Sequence, residues 1–141
     1  MSLKETYFGN LGNIKKMDPG AVIINVTRRA GSILSPSWTL LNAYKAKKID
    51  WDGYISGFMH EMDNPECKAE MLRIGELAKT EDLYLVCFER MGNCHRFLLV
   101  DMIKVLMLDD ACRRVNQLAA ERPDLVKAGY DNIAKALRVE A

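Results

Sequence analysis

Nine consecutive positions, Cys87 to His95, hold two of the chain's four cysteines and one of its two histidines, with Glu89 between them and Arg96 following. Together they offer a thiol nucleophile, an imidazole that titrates near neutrality, an orienting carboxylate and a guanidinium able to clamp an anion. The flanking residues suggest how they are presented. Leu83-Tyr-Leu-Val-Cys-Phe-Glu-Arg-Met-Gly-Asn-Cys-His-Arg-Phe-Leu-Leu99 reads as a buried strand, a short loop containing Gly92, and a helix starting near Asn93 or Cys94. His95 and Arg96 then fall in the first helical turn, where free N–H groups and the macrodipole are already positive. Two cations at that end call for a negative partner. It is either a bound phosphate, sulfate or carboxylate held by the amides, Arg96 and His95, or Glu89 folding back onto Arg96.

Other chemistries fit less well. Sequence-adjacent Cys94 and His95 are poorly placed to share one ion, and structural zinc sites use paired Cys-x2–4-Cys knuckles. No metal and no cofactor are therefore expected. The Cys-x5-Arg arc of phosphatase and rhodanese loops fails too: counting from Cys87 the Arg position holds Asn93, and from Cys94 it holds Val100. Cys94 at a helix start beside Arg96 has a lowered pKa if it is reactive, with plain packing as the alternative. Cys67 and Cys112 read as core residues. His60-Glu61 lacks the second His of a zinc-protease helix, and no Gly-x-Gly-x-x-Gly or Walker loop is present. Gly9-Asn-Leu-Gly12-Asn13 reads as a turn or a ligand-facing loop. Trp38 and Trp51 are expected as core or rim aromatics.

Two near-continuous apolar runs, Ala21–Thr27 and Asp82–Phe88, suit strands covered on both faces, as in a parallel sheet. Glu5–Phe8 is a shorter candidate. If the strands are parallel, Thr27 and Arg28 emerge at the same carboxyl edge as Cys87 and Glu89, where open α/β sheets bind ligands. Arg29 reads as a solvated turn. Helix starts are expected at Ser35-Pro36, Asp50 and Asn64-Pro65. The second helix carries an apolar stripe of Trp51, Tyr54, Ile55, Phe58, Met59 and Met62. Cys94–Leu108 is apolar almost all round and should be deeply packed. A further helix starts at Asp109 or Asp110, Pro123 interrupts it, and a last one presents Val126, Tyr130, Ile133, Ala134 and Leu137.

The chain has 141 residues, 49% of them hydrophobic, and a formal net charge of +1. One domain is expected: an α/β core over 1–108, with a small parallel-type sheet between helix layers, and a C-terminal helical hairpin over 109–141. The charge balance argues against a dedicated nucleic-acid binder. No run approaches a membrane span and no signal peptide is evident, so a cytoplasmic protein is expected, with reduced thiols.

The block Cys87-Phe-Glu89-Arg-Met-Gly-Asn-Cys94-His95-Arg96-Phe-Leu-Leu99 resembles the hallmark of the domain-of-unknown-function family DUF488: a hydrophobic strand running into Cys-x-Glu, a short loop, and Cys-His-Arg opening a helix. Val26-Thr27-Arg28, Ser35-Pro36 and Trp51-x2-Tyr54 resemble the family's first half, so the likeness covers roughly residues 5 to 107. It implies an α/β core with a parallel sheet and a site formed by Arg28, Cys87, Glu89, Cys94, His95 and Arg96. The helices from Asp109 onward depart from family members that finish with another strand. The expected function is an enzyme acting on a phosphorylated small molecule or nucleotide. His95, Glu89 and Cys94 are its catalytic candidates, and Arg96, Arg28, Thr27, Cys87 and Tyr54 bind the ligand. The alternative is a non-catalytic nucleic-acid or protein binding module, with homo-oligomerisation through the C-terminal helices.

Overall fold

The computed structural model describes residues 2–89 and 92–140. Leu83, Leu85 and Val86 are fully buried because their strand, β3 (Asp82–Cys87), lies in the middle of a three-stranded sheet. Its partners are β1 (Ser2–Tyr7) and β2 (Val22–Asn25), in the order β1-β3-β2, and both pairings are parallel. A strand paired on both edges and covered on both faces needs an unbroken apolar sequence, which 82–87 supplies. The third strand is longer than the short Glu5–Phe8 candidate. Its sequence is mostly polar, as an edge strand tolerates, and it pairs with β3 from Ser2↔Asp82 to Tyr7↔Cys87. β2 is shorter than the apolar run around it.

The helices around the sheet are α1 (Leu11–Met17), α2 (Trp38–Lys45), α3 (Trp51–Met62), α4 (Pro65–Leu77) and the start of α5 (His95–Glu121); α6 (Pro123–Glu140) follows α5 at the C-terminal end of the chain. Two of the expected caps form. Asp50 accepts the Gly53 N–H at 2.8 Å and Asn64 accepts the Cys67 N–H at 2.9 Å, each satisfying a donor the helix itself cannot. Three expectations need correction. Gly9–Asn13 is neither a loop nor a simple turn but a 3-10 turn (Phe8–Asn10) running into α1. The cap of α2 is Ser37 rather than Ser35. Its Oγ accepts the Leu40 N–H at 3.1 Å while donating to Glu61 Oε2 at 2.5 Å, so Pro36 stays outside the helix. No helix starts at Asp109 or Asp110. Both lie inside a continuous α5 and pair with Arg113 and Arg114 three or four residues on, which supports helix rather than breaking it.

Two compact units divide the chain, Met1–Leu106 and Met107–Ala141. In the first, Tyr54, Phe58, Met62, Met71, Ile74, Leu99 and Ile103 pack with the sheet residues as core, whereas Met59 of the expected stripe is 52% exposed. Deep packing of α5 stops early: Ile103 is buried but Val105 is exposed. In the second unit, Leu108, Val115, Tyr130, Ile133 and Leu137 are all exposed. The side chain of Val126 lies outside the described residues. No helix among the described residues is long and apolar enough to cross a membrane.

Candidate functional site

Parallel pairing delivers the ends of β2 and β3 to one edge of the sheet, so Thr27 and Arg28 emerge beside Cys87 and Glu89. Thr27 is buried and builds the turn: its Oγ1 donates to Asn25 Oδ1 at 2.7 Å and accepts the Ala30 N–H at 3.2 Å. Arg28 and Arg29, next in line, are exposed. The first turn of α5 closes the same edge from the other side.

His95 is 5% exposed, and its Nε2 lies 2.7 Å from the backbone carbonyl of Val26. A carbonyl only accepts, so Nε2 carries a hydrogen in either charge state of the ring, and Nδ1 is the nitrogen left for chemistry. Nδ1 lies 3.6 Å from Cys94 Sγ. The edge of the ring packs against Phe58. Cys87 Sγ lies within 4.8 Å of Cys94 Sγ and of the His95 ring. The neighbouring Cys94, assisted by His95, holds the Cys87 thiol below the usual thiol range, although burial opposes it. The presence of Cys87, together with burial, pushes the Cys94 thiol up. Of the two sulfurs, Cys87 is the one whose thiol is held down. The direction at Cys94 is opposite to the lowering expected from the helix terminus and Arg96. One ligand atom from each of Cys87, Cys94 and His95 lies within 4.8 Å of the others. Their adjacency in sequence does not keep Cys94 and His95 apart, because Cys94 precedes the helix and its side chain is free of the helical angle.

Beyond them lies a cleft of about 610 Å³, lined among others by Thr27, Arg28, Arg29, Lys45, Glu89 and these three residues. Trp38, Tyr44 and Tyr54 form its aromatic wall. Tyr54 is stacked on Trp51, with ring centroids 4.9 Å apart, and on Phe58, as positions three and four apart on α3 allow. Burial, reinforced by the nearby sulfurs, pushes the Tyr54 phenol up and keeps it protonated. Among the described residues no carboxylate pairs with Arg28, Arg29 or Lys45, all exposed at the cleft.

Arg96 is placed differently from its expected role as anion clamp. It is 1% exposed and does not line the cleft. Its Nε donates to Glu5 Oε2 at 2.5 Å and its Nη1 to the backbone carbonyl of Glu89. Its charge is thus answered by β1 and the strand-end loop, and the pairing carboxylate is Glu5 rather than Glu89. Lys45, Tyr44 and Glu5 were missed in the sequence. The local signal for Glu5, an acid in a strand otherwise destined for the sheet, was present but had no visible partner.

One family model, described as "DUF488-N3a: Active DUF488-N3 subclade", matches residues 10–106, a span that holds β2, β3, the cleft and the Cys-x-Glu and Cys-His-Arg segments. No curated protein and no solved structure matches the chain.

Proposed function

The chain belongs to the DUF488 family, and from that premise we propose that its cleft takes a small phosphorylated molecule carrying a flat ring, of the nucleotide class, and acts on it at the Cys87–Cys94–His95 floor. The observation that carries this reading is the presence in one cleft of an aromatic wall and of Arg28, Arg29 and Lys45, which have no carboxylate partner among the described residues. Cations without carboxylate partners favour an anion, and Trp38 and Tyr44 offer faces for a ring to stack on. Glu89 supplies an acid–base group beneath it, beside the His95–cysteine cluster. The description of the matching subclade as active accords with an intact reacting centre.

The test is a thermal-shift comparison of a nucleoside monophosphate, a sugar phosphate and inorganic phosphate on wild type and on Arg28→Ala/Lys45→Ala. At a hundredfold excess over Kd a bound ligand adds about 2.7 kcal/mol, a Tm rise of roughly 8 °C for a chain of this size. The nucleoside monophosphate should give the largest shift, and the double variant should lose most of it. Equal shifts in both proteins, or none in either, refute the reading.

A second reading, self-association of a binding module in the cytoplasm, draws on the second unit. Val115 and Leu118 on α5 and Leu125, Tyr130, Ile133 and Leu137 on α6 expose apolar surface that a second copy would cover. A monomeric mass by light scattering at micromolar concentration excludes it.

A further inference from the structure

The geometry points to a metal site: Cys87, Cys94 and His95 bind one soft divalent cation, zinc or ferrous iron, through Sγ, Sγ and Nδ1, with a fourth position open to the cleft. Three observations support it independently of the anion chosen for that cleft. The first is distance. Two bonds of about 2.3 and about 2.05 Å at a tetrahedral angle put sulfur and nitrogen about 3.6 Å apart, and Cys94 Sγ and His95 Nδ1 are 3.6 Å apart. The three ligand atoms already lie within 4.8 Å of one another, so Cys87 needs a movement of roughly 1 Å to reach the same ion.

The second is orientation. Ligating histidines hold their other ring nitrogen on a carbonyl or carboxylate, which fixes the ring and leaves the ligating nitrogen bare. His95 does this through Nε2 to Val26. The third is the composition of the surroundings. Two thiolates and an imidazole are soft or borderline donors that select zinc or iron over magnesium and calcium. All three residues are buried yet line the cleft with Glu89 and Asn93. Three protein ligands and an accessible fourth position is the pattern of catalytic rather than structural zinc.

Untagged protein is incubated with zinc and passed over a chelating resin, and its metal is measured by mass spectrometry without any substrate. Either proposal can thus fail alone. About one zinc per chain is expected to remain, and Cys87→Ser and Cys94→Ser should each weaken retention by at least about tenfold. Cys112→Ser, altering an exposed thiol on α5, should leave it unchanged. Cobalt loading gives a second readout: a sulfur-to-cobalt charge-transfer band that halves in each single site variant. Circular dichroism separates lost binding from lost folding, and a variant that stays folded must show the loss. Wild type retaining under about a tenth of an equivalent overturns the site, as does equal retention in folded Cys87→Ser. Calcium or magnesium competing equally with zinc also overturns it.

Discussion

Replacing Glu5 by Ala isolates the contact on which the first turn of α5 depends. The Arg96 side chain is 2% exposed and that of Glu5 31% exposed, so the pair lies between two regimes. Removing one partner of a fully buried pair costs about 3–5 kcal/mol, whereas exposed pairs contribute about 0.2–1 kcal/mol. Water can enter through the space Glu5 vacates, and the Glu89 carbonyl still accepts from the guanidinium. The expected loss is therefore about 2–3 kcal/mol, because the charge is partly but not fully stranded. Urea melts followed by tryptophan fluorescence read this directly, since Trp38 and Trp51, the only two, both lie in the first unit. With a slope of about 2 kcal/mol/M the midpoint should fall by roughly 1 M, and the slope should hold. Arg96→Met combined with Glu5→Ala should cost less than the sum by about 2 kcal/mol. The drop should survive high salt, which screens surface pairs but not buried ones. A midpoint change below about 0.25 M, or strict additivity, would show that the guanidinium finds its stabilisation elsewhere.

Two further outcomes follow from geometry already described. Tyr54 has a folded pKa raised from its ordinary 10.0, chiefly by burial, so the unfolded chain loses that proton first. Stability from this group is complete below pH 10.0 and declines as pH rises above it; Tyr54→Phe should show a shallower alkaline decline, and an identical slope in both proteins would contradict the assignment. Glu61→Ala removes acceptors for the Ser37 N–H at 2.8 Å and Oγ at 2.5 Å, and should cost about 1–2 kcal/mol in a thermal melt. Ser37→Ala should cost about 1 kcal/mol, and the double variant less than the sum; full additivity would separate the cap from the carboxylate.

What could be read in the sequence was what neighbours decide. Asp50 and Asn64 cap through contacts three residues away, and the apolar run 82–87 needs no partner to declare itself a central strand. Where a residue far along the chain decides, the sequence was silent. Ser35 and Ser37 flank the same proline, and Glu61, twenty-four residues on, selects between them. Arg96 was legible as a cation needing an anion, but Glu5 lies ninety-one residues back. Asp109 and Asp110 looked like caps because Asp favours them; arginines one turn later kept them in the helix. The clustering of Cys87, Glu89, Cys94 and His95 located the cleft, while adjacency wrongly argued against Cys94 and His95 facing one point. Lys45 and Tyr44 join that cleft through the placement of α2, which no spacing rule encodes.

The strand order β1-β3-β2 also dictates when the protein can fold during synthesis. Its first two strands emerge from the ribosome with no sheet neighbour, since each pairs with β3, whose residues 82–87 come later. The clasps follow later still: His95 onto Val26, sixty-nine residues apart, and Arg96 onto Glu5. Such long-range closure slows folding and leaves two unpaired strands, the apolar β2 among them, exposed to other chains while they wait. Until Arg96 and the buried Leu99, Val100 and Ile103 that follow it have cleared the ribosome, the sheet is not clasped and the cleft is not built.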